Sequence, residues 1–167
     1  MNCYKIISTR RSIRKYAKKQ ISDDTLKTII NAGIWAPSGL NNQPWKFQII
    51  CNESQKNIIS EFTKYSAIIK SAQVLVCIFL DKNEMYNRDK DLMSIGACIQ
   101  NMLLSSWELG IGSCWLGEIL NRKEEVCSYL SVTKDLELMA VISLGYPEAA
   151  SGKGQRKDIS DFLLSKL

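Results

Sequence analysis

The segment TRRSIRKY places Arg10, Arg11, Ser12 and Arg14 within five positions. In an extended chain Arg10, Ser12 and Arg14 point to one side, and Arg11 and Ile13 to the other. In a helix Arg10 and Arg14 still share a face, but Ser12 leaves it. Two guanidinium forks flanking a hydroxyl suit a phosphate, whose oxygens accept bidentate, charge-assisted bonds. The competing reading is a solvated charged surface, and chemistry alone leaves both open.

A second cluster is the amide-rich stretch APSGLNNQPW, with Pro37, Ser38, Gly39, Asn41, Asn42 and Gln43. Asn and Gln offer donors and acceptors together, as does the edge of a heteroaromatic ring. Self-satisfying turn chemistry is the other reading, above all for Asn41 and Asn42. A third cluster, GIGSCWLGEI, holds Leu116, Gly117 and Glu118. Its glycines allow backbone to approach a ligand, and a bulge explains them equally well. There is a GxG but no GxGxxG and no P-loop, which weakens a dinucleotide or nucleoside-triphosphate reading.

The chain of 167 residues contains no histidine. That removes Ser-His and Cys-His nucleophile pairs and most transition-metal sites, so no metal is expected. Catalysis must then come from other side chains or from a bound cofactor. The six cysteines are scattered without a CxxC pair, and read as reduced thiols rather than a disulfide framework. Net charge is +5 and uneven: seven basic residues and no acid precede Asp23, whereas 15 basic and 17 acidic residues make up the rest. A basic head of this kind suggests an anionic partner. No apolar run reaches the length of a membrane span, and the opening residues turn basic too soon for a signal peptide. The expected location is the cytoplasm.

These residues need elements to hold them. A helix is predicted after the N-cap Ser22, with Leu26, Ile29, Ile30 and Gly33 on one face and Pro37 ending it. WKFQIIC reads as a strand, and residues 54–69 as one amphipathic helix. QVLVCIFL is a continuous apolar run, expected to be a strand buried on both faces. A long helix from Asp89 to Leu109 is apolar around much of its circumference, so it faces either a central core or a second subunit. A glycine-punctuated strand, a short helix over 122–130 and a last strand LELMAVISLGYP complete one domain over 1–167. Without strict βαβ alternation, the expected class is α+β, with helices around a small sheet.

In this order, RRSIRKY, APSGLNNQPW, LGIGSCWLGEI and SLGYP resemble the nitroreductase family of FMN-dependent oxidoreductases across nearly the whole chain. The resemblance implies a homodimer of α+β subunits, each with a central, mostly antiparallel sheet, binding FMN at the subunit interface. It further implies hydride transfer from NAD(P)H through the flavin to a small-molecule acceptor, with no catalytic side chain. Arg10, Arg11, Ser12 and Arg14 would hold the phosphate and ribityl chain. Pro37, Ser38, Gly39, Asn41 and Gln43 would reach the flavin, largely from the partner. Leu116, Gly117 and Glu118 would run along the isoalloxazine. Arg156, with Lys153 or Lys157 as alternates, would complete the phosphate site, and Lys64 would reach the pyrimidine edge. Many relatives carry two glycines where this chain has Gly117 and Glu118, which places a carboxylate near the flavin. A flavin carrier or sensor without turnover is the alternative, and a nucleic-acid contact by the basic head is the weakest rival. Neither nucleic acid nor membrane is an expected partner.

Overall fold

The computed structural model describes residues 2–165. Six α-helices and four strands run in the order α1 (Cys3–Thr9), α2 (Asp23–Ile34), β1 (Trp45–Ile50), α3 (Glu53–Ser60), α4 (Ser66–Ser71), β2 (Val74–Asp81), α5 (Arg88–Glu108), β3 (Gly112–Leu116), α6 (Lys123–Tyr129) and β4 (Leu136–Gly145). The strands form one antiparallel sheet in the order β1-β2-β4-β3. The α+β class expected from the element pattern is the class observed.

β2 sits inside the sheet and every one of its residues is buried, as its unbroken apolar run requires. Alternate residues serve two cores. Val74, Val76, Ile78 and Leu80 pack with α2 and α5, while Leu75, Cys77 and Phe79 face α3, α4 and α6. Burial pushes the Cys77 thiol up to about 12, so it behaves as a small apolar side chain. Helix starts follow short polar caps: Ser22, Asn52 and Asn87 accept the backbone N–H of Thr25, Gln55 and Lys90.

One expectation is corrected. Residues 54–69 form two helices, α3 and α4, broken over 61–65. Phe62 turns inward against Tyr129 and Thr63 is buried, so tertiary packing overrides the helical period there.

The basic segment is extended, the first of its two possible conformations. It crosses the end of the sheet through bridges from Ser12 to Ser113 and from Tyr16 to Pro147. Gly112 and Gly145 are cross-strand partners. A Cβ on Gly112 would lie 2.8 Å from Ile13, and one on Gly145 would lie 2.7 Å from the Tyr16 ring. Ile13 and Tyr16 therefore seat on bare backbone, and the Tyr16 hydroxyl donates to the Ile13 carbonyl at 2.7 Å. With those two side chains anchored inward, Ser12 and Arg14 are exposed.

Candidate active site

A cavity of about 490 Å³ opens beside this segment. Arg10, Arg11, Ser12 and Arg14 line it from one side, and Lys153 and Arg156 from the residues after β4. Among the described residues no ion pair engages Arg10, Arg14, Lys153 or Arg156. Burial first, then the positive charges of Arg156 and Arg11, pulls the Arg10 guanidinium below its ordinary value. Converging cations of this kind attract an anion, and Glu148 is the one acidic residue on the cavity wall among the described residues.

The arginines differ in availability. Arg11 donates to the carbonyls of Ser8 at 2.9 Å, Arg10 at 2.7 Å and Gly152 at 3.2 Å. It thus latches the segment after β4 against the basic segment. Arg14 makes one long contact, 3.5 Å to the Ser12 carbonyl. Lys157 does not line the cavity, whereas Lys153 and Arg156 do.

Arg14 also lines a second cleft of about 270 Å³, shared with Tyr65, Cys114, Trp115, Leu116, Gly117 and Glu118. It is the residue common to the cationic cavity and this groove, which Tyr65 and the end of β3 line. Glu118 lines this groove, but its carboxylate is already engaged. Oε2 accepts the Thr63 hydroxyl at 2.5 Å and the Lys64 N–H at 3.2 Å. The Thr63 bond leads in holding that carboxyl below its ordinary range. Lys64 does not line the groove, and its ammonium lies 5.6 Å from the Tyr65 ring centroid.

The amide-rich stretch lies elsewhere. Pro37, Ser38 and Gly39 line a shallow hollow with Met93, Ser94 and Ala97 of α5, not the arginine cavity. Its backbone is strained, with Leu40, Asn41 and Gln43 at φ 54°, 56° and 48°. Ser38 Oγ accepts the Gln43 N–H at 3.0 Å, and Gln43 Nε2 donates to the Asn41 carbonyl at 3.2 Å. Asn42 Nδ2 donates to Asp91 Oδ1 at 2.9 Å and to the Glu84 carbonyl at 2.8 Å. Asp91 is fully buried and also accepts the N–H groups of Tyr86 and Asn87. Asn42 is therefore an anchor that ties the loop to the start of α5, a role its bare sequence did not separate from ordinary turn chemistry.

The sequence profile described as the nitroreductase family matches residues 7–65 and 55–146. The chain belongs to the nitroreductase family. A family member from Archaeoglobus fulgidus, provisionally named an NADH dehydrogenase/NAD(P)H nitroreductase, is 35% identical over 150 residues, spanning 87% of this chain and 86% of its own. The NADPH-flavin oxidoreductase of Vibrio harveyi is 27% identical over 159 residues, covering 88% of this chain and 66% of its own. Among solved structures, a protein from Desulfovibrio desulfuricans, provisionally described as a nitroreductase and crystallised in complex with FMN, superposes with a TM-score of 0.95. It is 39% identical, with 100% of this chain and 98% of that one covered. The antiparallel four-stranded sheet with its surrounding helices is thus the family fold, as the four motifs implied. Sequence reasoning did not find the partnership of Thr63 with Glu118 or of Asn42 with Asp91, because each joins residues some fifty positions apart.

Proposed function

We propose that this chain binds FMN along the two clefts joined at Arg14 and uses it as an NAD(P)H-dependent oxidoreductase. The supporting observation is the cluster of Arg10, Arg14, Lys153 and Arg156, none of them ion-paired among the described residues, beside a groove lined by Tyr65 and the end of β3. Arg10, Ser12, Arg14 and Arg156 would take the phosphate and ribityl oxygens, with Lys153 as a further cation. Arg11 would act mainly by holding the cavity wall through its carbonyl contacts. Leu116 and Gly117 would lie along the ring system.

Bound FMN supplies hydride transfer from NAD(P)H to a nitroaromatic, quinone or related acceptor in two successive half-reactions. The protein's part is to position and to set charge. Cys114, buried at the cleft, is pushed up by burial more than Arg14 and Arg10 pull it down, so it is not poised as a thiolate.

A second copy of the chain belongs to this reading. Pro37, Ser38 and Gly39 sit beside α5 rather than beside Arg10, so they can reach a flavin only across an interface. Met93 in that hollow and Leu40 next to Gly39 expose large apolar surface, which a homodimer would cover. The six cysteines are free and suit a reducing compartment, and the reading places the protein in the cytoplasm. No helix among the described residues is long and apolar enough to cross a membrane. Titration of apoprotein with FMN, followed by flavin fluorescence, tests the assignment: saturable uptake that Arg156→Ala weakens supports it, and no uptake rejects it.

A further inference from the structure

Glu118 is the second residue after β3, where a free carboxylate would present its charge to the proposed flavin. The geometry gives it different work. The 3-10 turn Glu118–Arg122 grips the α3–α4 connection at two points. At one end Glu118 Oε2 accepts Thr63 Oγ1 and the Lys64 N–H. Thr63 Oγ1 in turn accepts the Tyr65 N–H at 3.2 Å, which extends the relay to the residue lining the groove. At the other end Arg122 Nη1 donates to the Glu61 carbonyl at 2.9 Å, with its guanidinium 5.0 Å from the Phe62 ring centroid. Glu125 orients that guanidinium through a 2.9 Å ion pair.

The connection needs this grip. The N-cap residue of α4 is Tyr65, and its side chain makes no capping hydrogen bond, so the backbone there has little local reason to hold one conformation. Tyr65 is nevertheless one wall of the groove, together with Trp115 and Gly117. We infer that Glu118 is a positioning residue whose carboxylate, through Thr63 and the Lys64 amide, fixes Tyr65 and so pre-forms the wall against which the flavin ring is held. This inference rests on the flavin reading above. A pre-formed wall slows loss of the ligand, because less ordering is required on binding. The attraction that brings the phosphate in belongs to Arg10, Arg14 and Arg156 and is unaffected.

Hydrogen exchange of the apoprotein, together with FMN dissociation from the reconstituted protein, tests this in Glu118→Ala, Glu118→Gln and Thr63→Val. The alanine and valine variants are expected to exchange the Lys64 and Tyr65 amides about tenfold faster than wild type and to release FMN about tenfold faster. Glu118→Gln, which keeps an acceptor for the Lys64 amide and a partner for Thr63, should stay within about twofold of wild type in both. The flavin midpoint potential of Glu118→Gln should match that of wild type. Unchanged amide exchange in Glu118→Ala overturns the inference. So does a flavin potential that shifts equally in the glutamine and alanine variants, because charge at the ring would then be the residue's role. Wild type that takes up no FMN overturns the flavin reading, and with it the wall's assignment. The exchange data still judge the clasp in that case, so the two failures are distinguishable.

Discussion

The Tyr16 ring packs onto Gly145 so closely that a Cβ at Gly145 would lie 2.7 Å from a ring carbon. This contact, with that of Ile13 on Gly112, fixes the direction in which the basic segment presents Ser12 and Arg14.

Gly145→Ala should therefore act on both stability and the site. The added methyl forces Tyr16 away from the sheet, breaking the hydroxyl's bond to the Ile13 carbonyl. Overpacking of this kind costs about 1–3 kcal/mol. Thermal unfolding should show the loss, and FMN titration of the folded variant should show weaker uptake.

Arg10→Gln should separate stability from binding. Arg10 is disfavoured by burial and by the charges of Arg156 and Arg11, so its neutralisation should raise the melting temperature of apoprotein at low salt. The advantage should shrink as salt screens the cluster. FMN affinity should fall about ten- to a hundredfold, the value of a charge-assisted hydrogen bond.

Acid should weaken a clasp at the start of β4, the end opposite Gly145. Glu137 accepts two bonds from Arg88 and one from Lys123, and Arg88 leads in lowering its carboxyl from 4.5 to about 2. The folded value is the lower one, so the stabilisation is complete above the unfolded pKa and is lost as pH falls toward about 2. Across that window wild type should lose melting temperature more steeply than Glu137→Gln.

Met93→Arg tests the second copy. It puts a charge on the exposed face of α5 beside the hollow lined by Pro37, Ser38 and Gly39. Sedimentation should show wild type as a dimer and the variant as a folded monomer with impaired FMN uptake. A wild-type monomer that binds FMN fully contradicts the shared-site reading.

What the sequence disclosed follows the range of each interaction. β2 was legible because its apolar run is continuous, and α5 because apolar residues recur at helical spacing from Leu92 to Trp107. The α3–α4 break was not legible, since the inward turn of Phe62 and Thr63 depends on Tyr129, Arg122 and Glu118. At the site, the alternation of Arg10, Ser12 and Arg14 was readable once the chain was taken as extended. The approach of Lys153 and Arg156 depends on how the chain runs after β4, which spacing does not encode. Glu118 shows the limit best. Its position beside the groove followed from the motif, but its engagement with Thr63 required the fold.

The most direct measurement of the central claim is the visible absorption of protein reconstituted with FMN, mixed anaerobically with NADH or NADPH and then with a quinone or nitroaromatic acceptor. The account predicts that the flavin band bleaches with the nicotinamide and returns when the acceptor is added. FMN that binds but does not bleach with either nicotinamide would make the protein a carrier or sensor and contradict the proposed activity.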